Sequence, residues 1–258
     1  MTDNIQESFS GTRIAGTIAA GALDEVAKII KPGITTNQID VLCYEYINDN
    51  GGYSAPLFYR GFPKSCCTSA NHVICHGIPG DKTLTDGDIV NVDVTAYKNG
   101  WHGDTSRMFH VGDVSIKAKK LTEVTYNSMM KAIKILNKET TLGDIGSTIQ
   151  TYVEKEGFSV VKDFCGHGIG RVFHKEPNIL HYGIKGSGPK LKPGMIFTIE
   201  PMINEGDYQT KMLKDGWTAV SRDKKLSAQF EHTIGITEKG YEVFTLSKNR
   251  MDQPPYSI

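Results

Sequence analysis

Neither sign of charge is in excess in this 258-residue chain: Lys plus Arg and Asp plus Glu are both 29, so nothing global marks it as a binder of nucleic acid or of a charged membrane surface. The start, Met1 to Phe9, carries Asp3 and Glu7 and lacks the basic opening and apolar core of a signal peptide. No apolar run approaches bilayer length, so no membrane span is expected. Cysteine is scarce. Cys43, Cys66, Cys67, Cys75 and Cys165 are an odd number without a C-x-x-C pair, which argues against a disulfide framework and against a thiolate zinc site. A reducing, cytoplasmic setting is the expectation. No Pro/Ser-rich linker divides the chain, so one domain over residues 1–258 is expected, long enough to bury about three quarters of its unfolded surface.

What the chain does contain is an internal repeat. Leu84-Thr85-Asp86-Gly87-Asp88-Ile89-Val90-Asn91-Val92-Asp93 aligns with Leu191-Lys192-Pro193-Gly194-Met195-Ile196-Phe197-Thr198-Ile199-Glu200 at an offset of 107 residues, 84 to 191. The same offset places Ile14, Val26 and Ile29 on Leu121, Ile133 and Leu136, apolar positions of two segments with helical spacing. Two halves follow, about residues 10–110 and 116–248. Each opens on an amphipathic helix, Ser10 to Ile30 and Ile116 to Asn137. A shorter helix comes next, near Thr36 to Asn48 and Gly143 to Glu156, and then strands that end on acids. This order predicts an α+β fold with a strongly curved antiparallel sheet, helices on its outer face and an internal pseudo-two-fold repeat.

Four acids and a histidine stand out: Asp93, Asp104, Glu200, Glu231 and His167. The acids lie in stretches that read as buried strand, and His167 sits in Gly166-His167-Gly168-Ile169-Gly170, where glycine lets the backbone approach a site closely. A single Asp or Glu is ordinarily a surface turn or a salt bridge. Several buried carboxylates together repel unless a cation joins them. The midpoint of Asp93 and Asp104 falls between Lys98 and Asn99, in the turn Tyr97-Lys98-Asn99-Gly100, so the two acids are expected opposite each other on paired strands and on one face. The midpoint of Glu200 and Glu231 falls between Asp215 and Gly216, a second turn signal. Oxygen donors with one imidazole suit Mn²⁺, Fe²⁺, Co²⁺ or Zn²⁺. Four carboxylates suffice to bridge two ions ~3.5–4 Å apart, the arrangement of a hydrolase that activates water.

Five separated motifs then carry a family resemblance. Asn71-His72-Val73-Ile74-Cys75-His76-Gly77-Ile78-Pro79, Asp93 with Asp104, Gly166 to His174, Glu200-Pro201 and Ser227-Ala228-Gln229-Phe230-Glu231-His232-Thr233 closely resemble the bacterial type I methionine aminopeptidases, in order and with the family's spacing from about residue 5 to 248. The resemblance implies the pita-bread (creatinase/aminopeptidase) fold, two divalent ions (Co, Mn, Fe, Zn or Ni) and removal of the initiator methionine when the second residue is small. It implies that Asp93 chelates, that Asp104 and Glu231 bridge, and that His167 and Glu200 complete one ion's shell, Glu200 also taking a proton from the attacking water. His76 and His174 match the family's two active-site histidines that hold no metal. His76 would contact the scissile amide nitrogen and His174 the substrate carbonyl.

By the same match, Tyr59, Phe62, Cys67, Phe173 and Trp217 would form the methionine pocket, and Asn71, Val73 and Ser227 would hold a monovalent cation through backbone carbonyls. Many bacterial relatives carry Cys where Pro56 stands and Tyr where Phe62 stands, so the pocket's shape is expected to differ. His72, His102, His110, His181 and His232 are expected to be structural. The implied partners are nascent polypeptide N-termini, with ribosome association, no nucleic-acid substrate and a monomeric state. The rival readings are an Xaa-Pro dipeptidase, which usually carries a large extra N-terminal domain, and a catalytically dead binding protein on the same scaffold.

Overall fold

The computed structural model describes residues 4–256. Helix starts follow from their caps. Asn4 accepts from the Gln6 N–H and opens α1 (Ile5–Ile29), several residues before the Ser10 start read from apolar spacing alone. Thr35 and Thr141 each close a capping box, with Gln38 and Asp144, ahead of α2 (Thr36–Asp49) and α4 (Leu142–Lys155). Ser115 caps α3 (Ile116–Lys134), which ends short of the expected Asn137. Among the described residues no helix is long and apolar enough to cross a membrane.

In the first half β1 (Tyr53–Ser54), β2 (Cys67–Ala70), β3 (Val73–Cys75), β4 (Ile89–Lys98) and β5 (Trp101–His110) follow the two helices. In the second, β6 (Ser159–Val160), β7 (Gly166–Gly168), β8 (Lys175–Ile179), β9 (Ile196–Ile199), β10 (Met202–Asn204), β11 (Thr210–Met212), β12 (Ala219–Ser221), β13 (Ser227–Gln229), β14 (His232–Ile236) and β15 (Tyr241–Val243) do so. Among the described residues all pairings are antiparallel, in four hydrogen-bonded sheets. A bridge between Ser106 and Glu231 joins the halves at their seam.

The repeat is visible in three dimensions. Gly87 and Gly194 share the left-handed backbone (φ 92° and 89°), and the bridges Thr35 to Thr83 and Thr141 to Lys190 tie each short helix to its own half. The helices, however, superpose one residue short of the strand offset. Ala15 and Leu121 are both fully buried, whereas Ile14, the expected partner of Leu121, is 46% exposed. One residue more between helix and strand in the second half accounts for the slip.

The first hairpin also differs from its expectation. Lys98 pairs with Trp101, leaving Asn99-Gly100 as a two-residue loop with φ of 52° and 87°, the signature of a type I′ turn. That moves the centre by one residue, so Asp93 faces Ser106 and Asp104 faces Thr95. The two acids are diagonal rather than opposite, yet they remain on one face because a shift of two residues preserves strand parity. The second ribbon keeps its predicted centre. Every pair from Ile196–Gly235 to Met212–Ala219 is symmetric about Asp215 and Gly216.

Each half packs its helices on its own strands. Leu23 and Val26 of α1 join Val92, Val94 and Phe109, and Leu121, Ile145 and Ile149 join Phe197, Ile199 and Ile234. The acids therefore stand on the sheet face away from the helices.

Candidate metal centre and active site

Asp93 and Asp104 rise from the middle of β4 and β5, and His167 from the centre of β7. Glu200 and Glu231 occupy the gaps between β9 and β10 and between β13 and β14. Asp104, His167 and Glu231 bring one ligand atom each within 4.8 Å of one another. The His167 Nε2 lies 3.6 Å from both Asp104 Oδ2 and Glu200 Oε1. Its Nδ1 is 3.1 Å from the Gly168 carbonyl, to which an Nδ1–H donates, so that Nε2 keeps its lone pair toward the acids. The tight approach of β7 to β9 depends on Gly166, where a Cβ would meet the Thr198 carbonyl oxygen at 2.4 Å.

Two threonines orient the acids. Thr95 donates to Asp104 at 2.6 Å, and Thr198 donates to Glu200 at 2.7 Å while accepting the His167 N–H at 2.9 Å. The Gln229 amide reaches the other Glu200 oxygen at 3.4 Å. The Glu231 backbone is held by the first half: its N–H donates to the Ser106 carbonyl at 3.1 Å and its carbonyl accepts the Thr105 hydroxyl at 2.7 Å.

The electrostatics ask for a cation. Among the described residues no lysine or arginine lies within salt-bridge distance of these four acids; the His167 ring is their basic neighbour. Burial, and then the charges of neighbouring acids, push Asp93 and Glu231 well above the usual carboxylate range. Burial also pushes Glu200 up to about 7. For His167 burial acts downward, but the Asp104 contact and the Glu200 charge outweigh it and raise the ring's pKa. Carboxylates that resist ionising side by side, with a lone pair of imidazole aimed among them, fit divalent cations better than any occupant without charge.

A cavity of about 370 Å³ opens over this group. The four acids and His167 line it together with His76, His174, Tyr59, Phe62, Cys67, Phe173, Trp217 and Pro56. Phe62 meets Trp217 edge-on at 5.2 Å and Tyr59 meets Phe173 at 4.9 Å, forming the apolar wall. His76 adopts a left-handed backbone (φ 55°) and stands 5.6 Å from Phe164, ring to ring. A non-glycine residue held there is a strain that the surrounding packing must maintain. The His174 Nδ1 is 3.0 Å from the Tyr59 hydroxyl, and burial with the nearby His167 lowers its pKa to about 4. Asn71 and Ser227 adjoin through a Ser227 N–H to Asn71 carbonyl bond of 2.8 Å, and Val73 pairs with Val220 on β12. A larger open cleft of about 670 Å³ on α3 and α4 is lined by Lys131, Glu139 and Lys155 among others and lies apart from these acids.

Several residues in or behind the cavity are not singled out by the sequence. Thr95 and Thr198 are each two positions from an acid, so strand alternation alone puts them on the acids' face; that signal was available. The same holds for Met202, two positions after Glu200, which lines the cavity with Phe164 and Cys165. His232 turns away to Thr245 at 2.9 Å, and His102 stacks on Phe173 with Nδ1 2.8 Å from the Gly170 carbonyl. His181 is different. Its Nε2 accepts the Glu200 N–H at 3.1 Å, a role that no local pattern announces.

A fold of this kind over a buried acid and histidine group defines the class of two-half metallopeptidases. The chain belongs to metallopeptidase family M24, whose family description matches residues 10–238. It is 57% identical to a methionine aminopeptidase of Rickettsia prowazekii over 97% of each chain. The crystal structure of methionine aminopeptidase from that organism superposes with a TM-score of 0.92, covering 93% of this chain and 98% of that one. The prolidase from Pyrococcus furiosus shares the fold alone, with a TM-score of 0.74, 22% identity, 93% of this chain covered and 64% of that one.

Proposed function

We propose that this chain hydrolyses the N-terminal methionine from polypeptides whose second residue is small, using two divalent ions held by Asp93, Asp104, His167, Glu200 and Glu231. The observation that carries the reading is that one cavity holds the acids and His167, the two further histidines and an apolar wall. Divalent ions bound there supply Lewis acidity, lowering the pKa of water and polarising a carbonyl. Mn²⁺, Co²⁺ and Fe²⁺ are the first ions to assay, with Zn²⁺ and Ni²⁺ in the comparison.

The chain's own groups do the rest. The Glu200 carboxylate, steadied by Thr198 and Gln229, takes the proton of the attacking water. With the Tyr59 hydroxyl donating to Nδ1, the neutral His174 ring keeps its hydrogen on Nε2, the form required to donate to a carbonyl oxygen as charge develops on it. His76, across the cavity beside Phe164 and Trp217, contacts the scissile nitrogen and assists its departure. Tyr59, Phe62, Cys67, Phe173 and Trp217 enclose the methionine side chain, and Phe62 with Pro56 sets the pocket's local shape. Asn71, Val73 and Ser227 form the monovalent-cation position. The natural substrates are nascent chain N-termini met in the cytoplasm by a monomer, at the ribosome.

A panel of tripeptides at equal concentration tests the reading. Met-Gly, Met-Ala and Met-Ser peptides should lose methionine about a hundredfold faster than Met-Leu or Met-Lys peptides, because a bulky second residue displaces the scissile carbonyl and ~1 Å of displacement costs about that much. Equal rates, or preferential cleavage of Xaa-Pro dipeptides, would remove the assignment.

A further inference from the structure

The pseudo-symmetry sets Asp93 and Glu200 in equivalent places, yet their backbones are held in different ways. Asp93 lies in mid-strand, in register with Cys67 of β2 on one side and Ser106 of β5 on the other. Its main chain is therefore fixed by the sheet. Glu200 lies just past the end of β9, and Pro201 behind it has no N–H to offer a ladder. Glu231, which register sets opposite, turns its N–H and its carbonyl to Ser106 and Thr105 of the first half, and the Glu200 N–H, like the Ile196 carbonyl that accepts from Ile169, points to the other side of β9, toward β7. Among the described residues no main-chain acceptor meets it there. A buried N–H without an acceptor is costly and leaves the peptide free to tilt.

The acceptor comes from outside the ladder. His181, two residues beyond β8, is 1% exposed and sets its Nε2 3.1 Å from the Glu200 N–H. In the sheet β7, the strand that carries His167, lies between β8 and β9, and register sets His181 and Glu200 just beyond its Gly166 end. An Nε2 that accepts must leave the ring hydrogen on Nδ1, so a single neutral tautomer is required. The main chain of Glu200 is thus tied by His181 while its side chain is tied by Thr198 and Gln229.

We propose that His181 is a positioning residue for Glu200, substituting for the missing strand and setting the carboxylate that binds metal and accepts the proton. The proposal rests on the role given to Glu200 above. Loss of a group that orients a metal ligand typically costs 10–100-fold in ion affinity or activity. Three variants of the full chain separate positioning from packing. His181→Phe and His181→Leu remove the acceptor, and His181→Gln returns an acceptor oxygen at similar reach. Mn²⁺ affinity is measured by calorimetry on the metal-stripped proteins without peptide, alongside thermal unfolding, kcat and KM on a Met-Ala-Ser peptide.

The expected result is a 10–100-fold loss of Mn²⁺ affinity and of kcat in the Phe and Leu variants, with KM nearly unchanged, and recovery to within about threefold in the Gln variant. If the Phe variant does not fold, Leu against Gln decides. Wild-type Mn²⁺ affinity and kcat in a folded Phe or Leu variant overturn the proposal. So does equal loss of thermal stability in all three with ion affinity intact, or failure of all three to fold, since either would make the ring a packing element only. A wild-type protein that binds Mn²⁺ but releases no methionine refutes the peptidase reading instead, and the affinity series still decides the part played by His181.

Discussion

Asp24 and the four cavity acids are all largely shut away from bulk water, yet only Asp24 has a guanidinium against it. Arg107 on β5, itself fully buried, meets Asp24 of α1 at 2.5 Å, and the same carboxylate accepts from Ser247 and Asn249 at 3.0 and 2.9 Å. In the cavity, Asp93, Asp104, Glu200 and Glu231 face one another with His167 between them. The first cluster contains its counter-charge and ties α1, β5 and the C-terminal segment together. The second is short of positive charge and has a cavity in front of it. A self-neutral ion cluster is a fold element, whereas a cluster that needs charge from outside is a site.

The contrast is broken most completely by removing what the second cluster imports. A chelator should abolish methionine release, and Mn²⁺, Co²⁺ or Fe²⁺ should restore it. Glu231→Ala should lose bound ion as well as activity, read by elemental mass spectrometry beside the peptidase assay. An unchanged rate after chelation would end the distinction between the clusters.

His76 and His174 sharpen it, since they line the cavity without joining the acids. Alanine at either position should cut turnover by about two to four orders of magnitude while ion content stays near wild type. Loss of ion from both variants would place them among the ligands.

The structural cluster should respond in stability. Asp24→Ala strands the Arg107 charge and should lower unfolding free energy by about 3–5 kcal/mol in urea titrations. The apolar double variant Asp24→Leu with Arg107→Met should cost less than the single one. A larger loss in the double variant would mean that the pair contributes net stability of its own.

The smallest effect belongs to an exposed pair. Arg13 and Glu242 meet at 2.6 Å with side chains 49% and 34% exposed, so Glu242→Ala should change stability by about 1 kcal/mol or less, and less again in high salt. A loss comparable to that of Asp24→Ala would show that burial is not what separates the two kinds of pair.

Much of the site was legible before the fold. The acids and His167 could be picked from strand-like and glycine-rich settings, and the centre of the second ribbon could be placed between Asp215 and Gly216, because strand parity and turn chemistry are local properties. The register of the first hairpin differs by one residue from the one its turn signal suggests. Tyr97-Lys98-Asn99-Gly100 marks a turn, but only the pairing of Lys98 with Trp101 selects Asn99-Gly100 as its loop. The helical repeat differs by one residue from the strand offset for a similar reason: Ile14 and Ala15 both suit an amphipathic helix, and the strands beneath α1 decide which faces inward.

The sequence by itself determined the chemistry of the donors, the family resemblance, the approximate places of α2 and α4 and the two-half plan, all of which rest on residue type at short or repeated spacing. Only the tertiary structure decided that His181 holds the Glu200 main chain, that Asp24 neutralises Arg107, and that Phe164 and Cys165 close the cavity around the acids. Those relations join residues on different elements, some in different halves of the chain. Which side chains meet there depends on how sheets and helices pack, and no local periodicity records it.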